Sequence, residues 1–443
     1  SDAPFVFAVS QESNLVRPTD VSLAAAQMKE GRVLEGLETL LTEVERVNQH
    51  GFTQTELERA KQNLLAQWEQ RYSDRENVPS RSYADSYANA FLTSRSIPGI
   101  EAEYDLVQTF VPDITLDEAN AAIASLISED NRAVVVIAPE KEDVTPPTEA
   151  ELADVVATVA AKDIEPYADV ANDDPLLAEI PAPAAVVEER EIPELEVTEI
   201  VLENGVRVVM KPTDFREEEI RFSAGSPGGS SLYGDEEYPE ADNIAAIVSQ
   251  SGLAQFSIDD LVRKLAGTDV SVSPAIGELY EGLSGSARPA DLETLFQLIH
   301  LTMTAPREDA EAFAVWQEQW RTFLQNRELS PSAALQDALI ESLYGDDVRS
   351  RVPTLEEIEA IDLARAFELY AERFGDAGDF TFIFVGNFDV AELTELAQTY
   401  LGTRPAGERV ESWRDVQPPL PQGVVQNDVF AGQEEQSVTQ LVF

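Results

Sequence analysis

Residues 198–213 read TEIVLENGVRVVMKPT, two β-branched runs on either side of Asn204-Gly205. Alternating apolar residues argue for strands, and Asn-Gly is the pair that a tight type I′ turn prefers, so the stretch is read as a hairpin opening a domain at Val197. Outward from it, EIRFSAGS (219–226) adds a strand and PGGSSLYGDEEYPEAD (227–242) a loop. DNIAAIVSQSGLAQFSIDDL (242–261) follows as helix, break and helix, with no ionisable side chain from Asn243 to Ile258. Two strands within 261–287, helices over 290–375, the strand DFTFIFVGNFD (379–389) and the helix VAELTELAQTYLG (390–402) complete the pattern. Asp389 suits the N-cap of that helix and Gly402 its C-cap. Strands and helices mix without strict βαβ alternation, which defines an α+β class.

Before the hairpin, PFVFAVS (4–10) reads as a strand and residues 31–49 as a helix ended by His50 and Gly51. Thr53 and Glu56 form a capping box, Phe52 can staple onto Leu57, and Thr115 and Glu118 form a second box. RAVVVIAPE (132–140) reads as a buried strand closing this unit. PPTEAELADVVATVAA (146–161) is an amphipathic helix, and the Pro- and acid-rich run to Glu196 reads as an ordered spacer. QPPLPQG (417–423) meanders, and EEQSVTQLVF (434–443) alternates like a strand that starts a further domain.

The chain has 443 residues, 83 acids against 31 bases and a formal charge of −52. So negative a field repels nucleic acid and anionic lipid, so neither is an expected partner. The acids are spread along the chain, which points to a solvated surface suited to high salt, where screening relieves self-repulsion. No run approaches the ~20 apolar residues of a membrane span. With no cysteine and two histidines, His50 and His300, disulfides, thiolate zinc sites and any HExxH or HxxEH helix are excluded. Both histidines read as structural.

GSPGGSS (225–231) lacks the lysine of a phosphate loop and is followed by Asp235, Glu236 and Glu237, so it reads as a plain loop. Those acids, and Asp173-Asp174, lack the spacing of a calcium loop and read as solvated charge. No spacing singles out a carboxylate pair for hydrolysis. Trp68, Trp316 and Trp320 fall at packing positions of helices. Residue by residue, the sequence offers scaffolding and no catalytic constellation.

Three pieces, VLENGVRVVMKP (201–212), FTFIFVGNFDVAELTELAQTYLGTRP (380–405) and GFTQTELERAK (51–61), in this order relative to the domains, resemble the pitrilysin/insulinase family of inverse-zincin metallopeptidases. The resemblance implies two metallopeptidase-like α+β domains, antiparallel sheets flanked by helices, joined by an extended linker. It divides the chain into the end of a second domain (1–145), a helix and linker acting as hinge (146–196), a catalytically degenerate third domain (197–405), and a linker with the first strand of a fourth (406–443). In the family HxxEH supplies two zinc ligands and a base on a helix of the first domain. Here the resemblance places Asn243, Ala246 and Ile247 where His, Glu and His would stand. It therefore implies no catalytic residue, metal ligand or cofactor in this chain, with zinc in a catalytic domain upstream of Ser1. The expected role is part of the peptide-enclosing chamber of a clamshell endopeptidase, its partners that missing domain and a peptide or unfolded protein. The alternative is a non-catalytic relative that binds peptides as a processing or assembly partner. The compartment stays open, leaning periplasmic or extracellular.

Overall fold

The computed structural model describes residues 3–16, 19–29, 31–127, 131–138, 145–169, 174–328, 330–402, 411–432 and 437–442. The first unit starts with an antiparallel hairpin, β1 (Phe5–Val16) and β2 (Thr19–Met28). The second strand escaped the sequence reading because its AAA run carries little strand preference. Helices α1 (Val33–His50), α2 (Gln54–Ser73), α3 (Ser80–Thr93), α4 (Ile100–Phe110), α5 (Leu116–Leu126) and α6 (Glu149–Ala160) follow. Thr53–Glu56 and Thr115–Glu118 form both expected capping boxes. RAVVVIAPE is a correction: its described residues make no strand, and Val135 and Ile137 are exposed. An apolar run becomes a strand only where a neighbour supplies the ladder, and β1 and β2 pair only with each other among the described residues.

The second unit carries the core. Its strands are β3 (Val186–Ile192), β4 (Val197–Leu202), β5 (Arg207–Pro212), β6 (Ile220–Pro227), β7 (Val270–Ile276), β8 (Tyr280–Ala287) and β9 (Thr381–Gly386). They lie in the order β3-β4-β5-β9-β6-β8-β7. β5 and β9 run parallel and the other neighbours antiparallel, so the sheet is mixed, not purely antiparallel as expected. Residues assigned to the linker supply β3, whose Glu188, Glu189 and Glu191 put charge on the sheet edge, a guard against edge pairing.

The Asn-Gly hairpin forms, but its turn differs. Ile200 faces Val208 and Val201 faces Arg207, which leaves a loop of Glu203, Asn204 and Gly205 with only Gly205 at positive φ, +87°. That geometry belongs to three-residue loops with a left-handed third residue. Asn204 is instead buried and donates through Nδ2 to the Leu401 carbonyl at 2.9 Å. It ties the turn to the end of the last helix.

Helices α7 (Tyr238–Ser251), α8 (Ile258–Lys264), α9 (Leu292–Thr304), α10 (Ala310–Glu328), α11 (Pro331–Tyr344), α12 (Leu355–Ala360), α13 (Leu363–Phe374) and α14 (Val390–Tyr400) complete the unit. Asp389 caps α14 as expected, whereas its C-cap is Leu401, not Gly402. One sheet face, with Val208, Met210, Phe222, Phe382 and Phe384, packs on Ile247, Phe296, Tyr370 and Ala397 of the helices. On the other face Ile383 and Val385 of β9 are exposed. No residue before Leu176 belongs to any of the hydrophobic clusters found among the described residues. The terminal run SVTQLV pairs with nothing described, and Val438 and Leu441 are exposed, so the expected strand is absent there.

Candidate functional site

α7 begins four residues earlier than the sequence indicates, with Pro239 in its first turn, a position that costs no hydrogen bond. Asn243, Ala246 and Ile247 stand at i, i+3 and i+4, the spacing that puts side chains on adjoining positions of one helix face. Asn243 is buried and its Nδ2 donates to the Pro239 carbonyl at 2.9 Å. Ile247 is fully buried in the main core, and Ala246 is an exposed methyl group. An amide bonded to its own helix and two hydrocarbons do not fit a zinc ion, which takes imidazole, thiolate or carboxylate. Among the described residues no three His, Cys, Asp or Glu side chains converge to hold a metal.

Gly252 ends this helix at φ +97°, and a Cβ there would sit 2.3 Å from the Phe256 carbonyl oxygen. Both the left-handed backbone and the clash oppose a side chain, so Gly252→Ala is expected to cost about 1–3 kcal/mol in urea unfolding.

The two histidines are structural. His50 Nε2 donates to the Ile164 carbonyl at 2.5 Å and His300 Nδ1 to the Tyr400 carbonyl at 2.9 Å. Trp316 is buried in the core and Trp320 packs beside it. Asp173 lies outside the described residues.

The GSPGGSS loop is no phosphate cradle, because its amides already have a carboxylate. Gly229 N–H donates to Glu281 Oε2 at 2.6 Å, and Ser230 and Ser231 are buried. Glu281, on β8, is 1% exposed. Burial pushes its carboxyl up to about 7, against the opposing pull of the Gly229 N–H and the Arg373 guanidinium. Arg373, on α13, lies 3.7 Å from Glu281 and donates to the Tyr233 hydroxyl at 2.8 Å. It also grips Glu411 with two bonds, of 2.6 and 3.3 Å. The Arg414 N–H donates to Ser231 Oγ at 3.0 Å, so residues 411–414 are strapped onto the loop that precedes α7. Burial raises the Tyr233 hydroxyl, which therefore stays protonated. Sequence reasoning missed this cluster, since its members come from four separate stretches and no local spacing announces it. Its inner members Glu281, Arg373 and Tyr233 are buried, while Glu411 on the strap is half-buried.

No family model matches the chain. A PQQL-like zinc protease of Arabidopsis thaliana is 26% identical over 365 residues, 82% of this chain and 36% of that protein. The probable zinc protease PqqL of Escherichia coli is 23% identical over 388 residues, 85% of this chain and 40% of that protein. The fold is shared with the crystal structure of the periplasmic protease PqqL from Escherichia coli, at TM-score 0.52 and 19% identity over 94% of this chain and 46% of that one. It is shared too with a mutant of the ferredoxin protease FusC in complex with Arabidopsis ferredoxin, at TM-score 0.55 and 18% identity over 92% and 45%. These likenesses support the pitrilysin/insulinase family. It spans about two fifths of the length of the curated relatives it matches.

Proposed function

We propose that this chain is a non-catalytic portion of a zinc-dependent endopeptidase, forming part of the wall and hinge of a two-halved chamber that encloses a peptide. The observation that carries the reading is α7, where Asn243, Ala246 and Ile247, read from the resemblance as the counterparts of the zinc motif, supply neither ligand nor base. On this reading the unit built on β3–β9 is the degenerate third domain, starting with β3 and not at Val197, and the first unit is the end of a second domain. Residues 411–442 lead into a fourth. Zinc belongs to the catalytic domain, and a periplasmic or extracellular setting matches the compartment named for the PqqL relative.

The linker supports a hinge of limited span. Its first part is fastened to the first unit, where Gln49 bonds the Lys162 carbonyl at 3.0 Å and Asp169 pairs with Arg59 at 2.7 Å. Its last part joins the sheet unit, where Leu176 packs in a core cluster, the Ala184 N–H donates to the Gln398 carbonyl at 3.0 Å and β3 enters the sheet. The test is direct: the 443-residue chain is expected to bind well under one equivalent of zinc and to cleave no peptide library in a chelator-sensitive way. Stoichiometric zinc with cleavage abolished by chelator overturns the assignment.

The same α7 positions suit a second reading, a non-catalytic relative that captures extended peptides for a processing or assembly partner. The residues encoded upstream of Ser1 separate the two, because an HxxEH there excludes the second.

A further inference from the structure

Residues 411–414 lie across the loop that precedes α7 and are held there at two points. Arg373 grips the Glu411 carboxylate, with Nη1 donating at 2.6 Å and Nη2 at 3.3 Å, and the Arg414 N–H donates to Ser231 Oγ at 3.0 Å. Trp413 sits between these anchors, half exposed. The Arg373 anchor is shared, because Nη1 also lies 3.7 Å from Glu281 Oε1 while Nε is committed to the Tyr233 hydroxyl at 2.8 Å. Two carboxylates thus compete for one buried nitrogen. The Gly229 N–H and the Ser226 hydroxyl bond Glu281 from the other side, and Glu372 accepts from the Tyr233 hydroxyl at 3.1 Å. Asp379, in the turn after α13, is held above its usual range by burial and then by the charges of Asp376 and Glu411. The neighbouring arginines are engaged elsewhere: Arg349 bonds the Ser230 and Tyr233 carbonyls, and Arg365 pairs with Glu237, Glu368 and Glu372.

We propose that residues 411–414 are a proton-operated strap, docked through Glu411 while Glu281 is protonated and released when Glu281 ionises and draws Arg373 Nη1 to itself. With Glu281 neutral, the charges of Arg373 and Glu411 balance. With Glu281 ionised, one positive charge faces two negative ones in a buried setting where water screens them little. Burial raises the Glu281 carboxyl and the Glu411 charge adds to that rise, against the pull of the Gly229 N–H and Arg373. Linkage makes the effect mutual: docked Glu411 favours the proton on Glu281, so that proton favours the docking of Glu411 by the same free energy. The strap is where the chain leaves the sheet unit for residues 415–442, and the proton sets how tightly that departure point is held. Neither zinc nor a peptide takes part.

Growing the full chain with 5-fluorotryptophan gives four fluorine signals, for Trp68, Trp316, Trp320 and Trp413, and the Trp413 signal is the one lost in W413F. At about pH 5.5 it is expected at a docked position, away from that of free fluorotryptophan. At about pH 8.5, beyond the Glu281 value of about 7, it moves toward the free position while the other three signals stay in place. The ratio of docked to released strap is expected to fall at least about fivefold, the lower end for coupled sites. E281Q keeps an acceptor for the Gly229 N–H and cannot ionise, so it is expected to hold Trp413 docked at both pH values. E411Q is expected to leave it released at both. A Trp413 signal that ignores pH overturns the strap, and so does a docked signal in E411Q. A wild-type response in E281Q overturns it by tracing the titration to another group. Movement of Trp316 and Trp320 along with Trp413 overturns it as well, by marking unfolding of the core. E411Q carries the test even where E281Q fails to fold, because it leaves Glu281 in place and still has to abolish the pH response.

Discussion

Phe384→Ala is expected to destabilise the sheet unit by about 3–5 kcal/mol, the range for deleting a buried aromatic side chain. Phe384 is fully buried on β9, the middle strand of seven. Its ring lies 5.1 Å from Phe296 and 5.7 Å from Phe222, both nearly parallel to it. The substitution thus removes packing shared by two strands and a helix, and the neighbours, fixed in a ladder and a helix, have little freedom to collapse into the space. Urea unfolding followed by tryptophan fluorescence reads the change through Trp316 and Trp320 at the same core. A loss under about 1 kcal/mol would mean that the core is packed differently.

The second large effect belongs to Arg373. Arg373→Met leaves Glu281 buried without its counter-charge and releases Glu411, a change expected to cost about 3–5 kcal/mol when the orphaned carboxylate is ionised. The loss depends on pH in a definite direction. A carboxyl whose folded value, about 7, exceeds its unfolded value of about 4.5 holds more protons in the folded state between those two points. Stability contributed by Glu281 is therefore complete below about 4.5, falls as pH rises toward about 7, and is level above. Arg373→Met is expected to be better tolerated at pH 5 than at pH 8, because protonation neutralises the stranded group. E281Q should remove the slope from wild-type melts over that range. Equal losses at the two pH values for Arg373→Met would show that the cluster is not sensed through Glu281.

Much of the architecture was legible because it is written in short-range signals. Capping boxes at Thr53 and Thr115, the Asn204-Gly205 turn and the alternation of TFIFVG all act within a few residues, and each marks its element. What failed was whatever depends on a remote partner. RAVVVIAPE and SVTQLVF have the composition of strands, yet strand formation is decided by a neighbouring ladder that the residues themselves do not encode. The inverse error occurred at β3, whose acids disguise an edge strand as a spacer because an edge needs only one partner and benefits from charge. At the candidate site, the absence of ionisable groups on α7 was plain in the sequence. The Glu281–Arg373–Glu411 cluster was not, since 92 residues and then 38 separate its members.

The position of β9 constrains how the protein is made. It is the last strand of the sheet in sequence and sits between β5 and β6, pairing parallel with residues 207–212 and antiparallel with 220–225. Until residue 386 has left the ribosome, the earlier strands can assemble only as two separate fragments, β3-β4-β5 and β6-β8-β7, with the apolar edge of each uncovered. The sheet is therefore expected to close in one late, long-range step of the kind that folds slowly.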